Sequence, residues 1–343
     1  MATVRMKDIA RVALVSPSTV SRVLSGATTS VPIAPETRER VLRAVRELGY
    51  SPNPLARGLR GQGTALLGLI SREINDPFLP GMIEAIINAA QAEGYNVVLG
   101  LAHSSAGEAL ALTRVLETRH CDGIILLGDM RDHQALLAEI DATMLPVVGQ
   151  GHGEESPQIP TVNVDSRRGT REALSYLLEL GHRRIAYVDS GWIGDSLQRR
   201  TTYFDFMAEH GLAVEEGYYQ GAGTECEDGL RACQALLALP RPPTAIFAAT
   251  DALAIGVLKA AWGMGLRVPS DLSVVGFDDV PMAEFVVPSL TTLRQPLREL
   301  ARLVVQTLAR RIDDPTAPIP AIQEIAPTLV VRESCAPYGA HST

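Results

Sequence analysis

Nothing in this 343-residue sequence approaches eighteen uninterrupted apolar residues, so no stretch reads as a membrane span. The opening MATVRMKD has no apolar core of the kind a secretory leader carries, and a cytoplasmic protein without a membrane partner is the expectation. Cysteine is scarce. The four present, Cys121, Cys226, Cys233 and Cys335, show no CxxC spacing, which weighs against a disulfide frame or a zinc site and for reduced thiols. Gly61-Gln-Gly63 precedes its strand and lacks a third glycine, so no dinucleotide fingerprint lies between a strand and a helix, and no cofactor is expected. The seven histidines are scattered, with no nucleophile–base pairing to argue from. His182 leads into a strand and is read as structural. Aromatic residues are few, at 5 %.

What is present is ordinary globular material, 46 % hydrophobic and 20 % charged, in a chain long enough for two or three domains. The net charge of −8 conceals an asymmetry. Residues 1–62 hold ten Lys or Arg against four acids, a surplus of six positive charges that leaves −14 for the rest. A basic head on an acidic body suggests a polyanion-binding module joined to something else.

Residues 6–24, MKDIARVALVSPSTVSRVL, read as two short helices joined by a tight turn. Ile9, Ala10 and Ala13 give the first a buried face. The second opens at Ser16-Pro17, a good N-cap followed by the residue best tolerated at the first helical position. Val20, Val23 and Leu24 face inward there, leaving Ser18, Thr19, Ser21 and Arg22 outside. A polar, hydroxyl-rich and basic helix face suits a major groove. Val41, Leu42, Val45 and Leu48 form the stripe of a third helix that begins at Pro35, with Gly49 as its stop.

After a linker over 51–62 the rhythm becomes strand, helix, strand, helix. Apolar strands are read at 66–70, 96–99, 123–127, 146–148, 161–164, 184–188, 244–248 and 273–277. Helices are read at 80–93, 108–119, 168–180, 198–210, 229–239 and 252–264, with Asp251 as the N-cap of the last. Such alternation implies parallel sheets with helices on both faces. Two series of it imply two doubly wound lobes, which bind ligands at the carboxyl ends of their strands.

The motifs MKDIA (6–10), VSPSTVSRVL (15–24), PETRERV (35–41) and GYSPNPLAR (49–57) resemble the head of the lactose repressor and purine repressor family of bacterial transcriptional regulators. DPF (76–78), VDSR (164–167), LGHRRIA (180–186), TDALAIG (250–256), LSVVGFDD (272–279) and LTT (290–292) extend the resemblance through the body in the right order. The resemblance implies an all-α helix-turn-helix head over residues 1–51 and a hinge helix over 52–62. It further implies an α/β body over 63–343 with two doubly wound parallel-sheet lobes of the periplasmic-binding-protein type. Lobe 1 spans about 63–162 and 294–326, and lobe 2 about 163–293 and 327–343. A homodimer on a palindromic double-stranded DNA operator, controlled by a small-molecule effector, is the implied function.

Carried over by that resemblance, Pro17, Ser18 and Arg22 read bases, Arg22 by a bidentate pair to guanine. Ser16, Thr19, Ser21 and Ser25 contact phosphates, and Arg5 and Asn53 join the DNA contacts. Leu59 is the minor-groove wedge of a hinge helix, 53–60, that folds only when two copies meet on DNA. The effector site is implied to be Arg72 and Phe78 from one lobe, Arg199, Thr224, Thr250 and Asp278 from the other, and Gln295 on a crossover. Arg200 is the alternate to Arg199, because Thr202 stands where the family has Gly. Three further departures stand out. Leu14 replaces a glycine in the head's turn, which predicts an adjusted turn. The loop 27–34 is about three residues longer than usual. Thr224 falls where sugar-binding members carry an aromatic, and Thr250 replaces a common Asn. The two arginines and the few aromatics favour a polar, carboxylate-bearing effector such as a sugar acid, with a neutral sugar or a nucleobase left open. The rival readings are a solute-binding protein of the same two-lobe fold, which would lack the head, and a dinucleotide-dependent enzyme.

Overall fold

The structure, a computed structural model, describes residues 4–25, 33–49, 63–103, 105–128, 145–151, 159–191 and 194–339. It separates into two compact units, residues 1–64 and 65–343.

The head holds α1 (Met6–Val12), α2 (Pro17–Ser25) and α3 (Pro35–Glu47). Ile9 and Ala10 from α1, Val20 and Val23 from α2 and Val41 and Ala44 from α3 close into one buried cluster with Ala13. The expected start of α2 is observed: Ser16 Oγ accepts the Thr19 backbone N–H at 3.1 Å, with Pro17 at the first helical position. Gly49 ends α3 in the left-handed region at φ +60°, its N–H reaching Arg46 O at 3.2 Å. The turn between α1 and α2 corrects an expectation. It is not adjusted; Leu14 itself takes the conformation a glycine would, at φ +53°. The turn is held by Ala13 N–H to Ile9 O (2.8 Å), Val15 N–H to Ala10 O (3.0 Å) and Arg40 Nε to Ala13 O (3.3 Å).

The body contains two six-stranded sheets. The first is built from β1 (Leu66–Ser71), β2 (Asn96–Leu101), β3 (Gly123–Leu127), β4 (Val147–Gln150), β5 (Thr161–Val164) and β11 (Ile322–Ile325). Its order is β2-β1-β3-β4-β5-β11 and every pairing is parallel. The second uses β6 (Ile185–Asp189), β7 (Tyr219–Gly221), β8 (Ala245–Ala248), β9 (Ser273–Asp278), β10 (Thr291–Arg294) and β12 (Thr328–Val330). Its order is β7-β6-β8-β9-β10-β12, parallel except that β12 runs against β10. The central strands β3, β6 and β8 are buried along their whole length. That burial is why they appear in the sequence as unbroken apolar runs rather than alternations.

The chain completes β1–β5, crosses to build β6–β10, then returns through helix Leu297–Asp313 to β11 and ends in β12. The elements read from the sequence do not include that return helix. Leu300, Ala301, Val304, Val305 and Leu308 bury its apolar face in the first sheet's core, together with Met82, Ile83 and Ile86 of helix Leu79–Ala92. In both sheets the strand that starts the series is flanked by the second and the third: β1 by β2 and β3, β6 by β7 and β8. The connections therefore leave in opposite senses there, and a crevice opens at the carboxyl ends.

Candidate DNA-reading head and effector cleft

In α2 the predicted reading face is outward: Ser16, Pro17 and Ser18 are exposed, and Thr19, Ser21 and Arg22 are half-buried. The hydroxyls of Ser16, Ser18 and Thr19 bond one another across the first turn, Ser16 Oγ lying 2.7 Å from Ser18 Oγ and 2.9 Å from Thr19 Oγ1. Arg5 is exposed at the entry to α1, where its backbone N–H donates to the Asp8 carboxylate at 2.9 Å. Ser25 is the last residue of α2. Asn53 and Leu59, and with them the hinge helix, lie outside the described residues, as does the loop 27–32.

In the body, the seven residues assigned to the effector line one cleft: Arg72, Phe78, Arg199, Thr224, Thr250, Asp278 and Gln295. Its empty space, open solvent at the mouth included, is about 620 Å³. The topology explains the convergence. Arg72 follows β1, Thr224 follows β7, Thr250 follows β8, Asp278 ends β9 and Gln295 follows β10. Five strand ends deliver five side chains to one place. Asp76, Gln150, Ser190, Asp195 and Ser196 also line the cleft. The sequence reading missed them, although Gln150 ends β4 and Ser190 follows β6, so the strand-end rule applied to every strand would have found both.

Both cleft arginines are buried, each at 4 % exposure, and both are partnered. Arg72 donates to the carboxylates of Glu73 and Asp76. Its stem packs under Gly128, which sits at φ +78° and whose absent Cβ would meet Arg72 Cδ at 2.8 Å. Arg199 donates to Ala249 O at 2.5 Å and Ser166 Oγ at 3.3 Å, lies 3.8 Å from Asp195, and places its guanidinium 3.7 Å over the Phe277 ring. The alternate, Arg200, is turned away from the cleft; it donates to Asp189 at 3.2 Å and to Tyr219 Oη at 3.3 Å.

Asp278 stands at the bottom of the site, accepting from Gln295 Nε2 at 2.7 Å. Burial pushes its carboxyl well above the usual carboxylate range; Arg199 opposes the shift, and Asp251 and Asp76 add to it. Asp278 and Asp279 are consecutive non-glycine residues at positive φ, +123° and +56°. Such strain persists only where the surroundings over-determine it. Here Arg294 at 2.5 Å and Arg332 at 2.6 Å both donate to Asp279. Asp251 takes the Val280 N–H at 2.8 Å.

That role corrects the reading of Asp251 as a helix N-cap. Thr250 is the N-cap of helix Asp251–Gly263, its hydroxyl accepting from Leu253 N–H at 3.3 Å. Asp251 is fully buried and accepts from Val280 N–H and from Thr292 Oγ1 at 2.5 Å, so it braces the strained turn from behind. Gly276 makes the room, since a Cβ there would meet Asp251 Oδ1 at 2.2 Å. Burial raises the Asp251 carboxyl to about 7 against the two hydrogen bonds. The fold also bears out the structural reading of His182. Its Nδ1 meets Thr244 Oγ1 at 3.0 Å, and its Nε2 meets Ser273 Oγ at 3.0 Å and Ala336 O at 3.1 Å.

Among the described residues no group of three or more His, Cys, Asp or Glu is arranged to hold a metal ion, and no helix is long and apolar enough to cross a membrane.

Comparison with known proteins finds matches in both the head and the body. Residues 5–53 match the model for bacterial regulatory proteins of the lacI family, and residues 174–335 match a periplasmic binding protein-like domain. The ribose operon repressor of Haemophilus influenzae is 34 % identical over 335 residues, covering 96 % of this chain and 98 % of the relative. The solved lac repressor dimer bound to operator and the anti-inducer ONPF superposes with a TM-score of 0.83 at 26 % identity, over 98 % of this chain and all of the other. A complex of the transcriptional regulator CelR with cellobiose gives 0.71 at 30 % identity, over 96 % and 99 % of the two chains. With a helix-turn-helix head and a two-lobe body matched from end to end, the chain belongs to the lacI family of bacterial regulatory proteins and is a DNA-binding transcriptional regulator.

Proposed function

We propose that the cleft takes a small, neutral, polyhydroxylated effector, a sugar, and that its occupancy sets the affinity of paired heads for a palindromic operator. One observation carries this reading: the cleft's positive charge is already spent. Arg72 is held by two carboxylates and Arg199 by a carbonyl, a hydroxyl and an aromatic face, while Asp76, Asp195 and Asp278 share the wall. An entering carboxylate would have to displace those partners beside three acids, whereas hydroxyls can donate to the acids and accept from the remaining guanidinium N–H groups. The sugar acid that the two arginines favour in the sequence therefore gives way to a neutral sugar. The ribose operon repressor and the CelR–cellobiose complex support the same class.

On this reading Arg72, Phe78, Arg199, Thr224, Thr250, Asp278 and Gln295 bind the effector, and the protein works in the cytoplasm without turning its ligand over. Ser16, Pro17, Ser18, Thr19, Ser21, Arg22, Ser25 and Arg5 form the operator face of residues 1–51. Asn53 and Leu59 act in the hinge, residues 52–62. The lobes divide near residues 162, 293 and 326.

A thermal-shift screen of the full chain against D-ribose, D-glucose, cellobiose, gluconate and hypoxanthine tests the reading. A sugar present at 100 times its dissociation constant is expected to add about 2.7 kcal/mol. Stabilisation by gluconate with none by any neutral sugar refutes it. In the same preparation, removal of residues 1–62 is expected to abolish operator binding in a mobility-shift assay while the sugar response survives.

A further inference from the structure

We infer that buried Asp189 fixes the direction of a hydroxyl chain in the cleft wall, so that Ser190 presents only an acceptor and selects a ligand group that donates a hydrogen bond. The inference rests on the sugar-binding reading of the cleft but concerns a residue that does not line it.

Asp189 ends β6 and is wholly buried. Its Oδ2 accepts from Tyr219 Oη at 2.8 Å and from Arg200 Nη1 at 3.2 Å, and its Oδ1 accepts from Ser196 Oγ at 2.6 Å. A carboxylate with these neighbours has no proton to give, so Ser196 must be the donor in the third bond. A hydroxyl has one proton. With that proton spent on Asp189, Ser196 can only accept from Ser190, whose Oγ lies 2.8 Å away. Ser190 in turn spends its own proton on Ser196, and what remains for the cleft is its lone pair. Ser190 and Ser196 are 3 % and 2 % exposed and both line the cleft, whereas Asp189 does not. The polarity of the wall is therefore set one layer behind it. A ligand hydroxyl or N–H is accepted there, and an ether oxygen, fluorine or carboxylate oxygen meets a lone pair.

Changing Asp189 to Asn is expected to reverse the chain rather than simply weaken it. Tyr219 and Arg200 still need an acceptor, which orients the amide oxygen towards them and turns the amide NH₂ to Ser196. Ser196 then accepts, donates to Ser190, and Ser190 Oγ–H points into the cleft.

Two measurements decide the matter on the full chain. Neutron diffraction from perdeuterated, unliganded protein is expected to show the Ser190 deuteron directed at Ser196, the Ser196 deuteron directed at Asp189, and none on Asp189. A Ser190 deuteron directed into the cleft, or a deuteron on Asp189, overturns the inference. Calorimetry with D-ribose, D-glucose and their monodeoxyfluoro derivatives is the second arm. In the wild type, fluorine at one ring position is expected to weaken binding by about tenfold to a hundredfold, because a lone pair replaces a donor opposite a buried acceptor. The penalty at that position is expected to fall below about threefold in both Asp189→Asn and Ser190→Ala, while penalties at other positions stay. A folded Asp189→Asn or Ser190→Ala protein that keeps the full wild-type pattern refutes the inference. Ser190→Ala carries the test alone if the other variant does not fold. Should neither sugar bind the wild type, the sugar reading of the cleft falls, and the neutron result still decides the direction of the chain.

Discussion

Leu14 offers the sharpest quantitative test of how this head is built. It occupies the left-handed region at φ +53° while its side chain is 85 % exposed. The conformation therefore costs energy and the side chain recovers almost none of it by burial. For a residue with a Cβ the left-handed region is disfavoured by roughly 1–2 kcal/mol. Substitution by glycine removes that term but makes the unfolded chain more flexible, at a cost of about 0.4–1 kcal/mol. The net expectation for Leu14→Gly is a head more stable by about 0.5–1 kcal/mol. The bonds that close the turn, from Ala13 and Val15 back to Ile9 and Ala10 and from Arg40 to Ala13 O, use no atom of the Leu14 side chain and survive the change. Hydrogen exchange on the full chain, followed by mass spectrometry in peptides covering residues 6–24 and 35–48, isolates the head from the body. Exchange there is expected to slow about two- to fivefold, taking RT as ~0.59 kcal/mol, with body peptides unchanged. Leu14→Ile, with a branch at Cβ, is expected to move the other way. Faster exchange in the glycine variant would show that Leu14 contributes something its exposure does not reveal, and the strain argument would be wrong.

Three further outcomes are expected. Arg22→Ala should weaken operator binding by about 1–3 kcal/mol and relax preference at a single base pair, read by binding to operator variants at fixed salt; an equal loss on all sequences would make Arg22 a phosphate contact instead. Burial raises the Asp251 carboxyl from its ordinary 3.8 to about 7, so the folded state holds that proton more tightly than the unfolded chain does. Its contribution to stability is full below about pH 4 and lost as pH rises to about 7. Asn at 251 can still accept from Val280 N–H and donate to Thr292, so Asp251→Asn should flatten that part of the pH–stability curve; an unchanged slope in denaturant titrations refutes the assignment. Asp278 is likewise raised by burial, and a ligand that donates to it favours its ionised form. Sugar binding is thus expected to release protons and to tighten as pH rises, which calorimetry in buffers of different ionisation enthalpy measures; proton uptake would contradict the placement of ligand donors on Asp278.

The parts legible in the sequence are those governed by local rules. Helix periodicity and capping placed α1, α2 and α3, because Ile9 and Ala13, Val20 and Val23, and Val41 and Val45 recur in pairs at the spacing of a buried stripe and Ser16-Pro17 satisfies a helix start by itself. Apolar runs placed β1, β3, β6, β8 and β9, since central parallel strands are buried on both faces. Edge elements were harder. β7, β11 and β12 are three or four residues long and none is fully buried, so they lack that signature. The return helix Leu297–Asp313 escaped as well, although the apolar stripe from Leu300 to Leu308 is visible once its partner helix is known.

The division is clearest in the cleft. The resemblance of the motifs nominated Arg72, Arg199, Asp278 and Gln295; Arg72, Asp278 and Gln295 stand at strand ends, where a doubly wound sheet gathers its ligand contacts, whereas Arg199 lies within helix Gly194–Glu209. Only the tertiary structure decided what state those groups are in. Whether a guanidinium is available to a carboxylate depends on what already touches it: Glu73 and Asp76 fold back on Arg72 from the adjoining loop, where helical spacing does not apply, and Ala249 O and Phe277 reach Arg199 from distant parts of the chain. The shift of the cap from Asp251 to Thr250 has the same origin: both are good caps in isolation. The strained turn after Asp278 draws Asp251 away by offering Val280 N–H and Thr292 Oγ1 across 29 and 41 residues of chain.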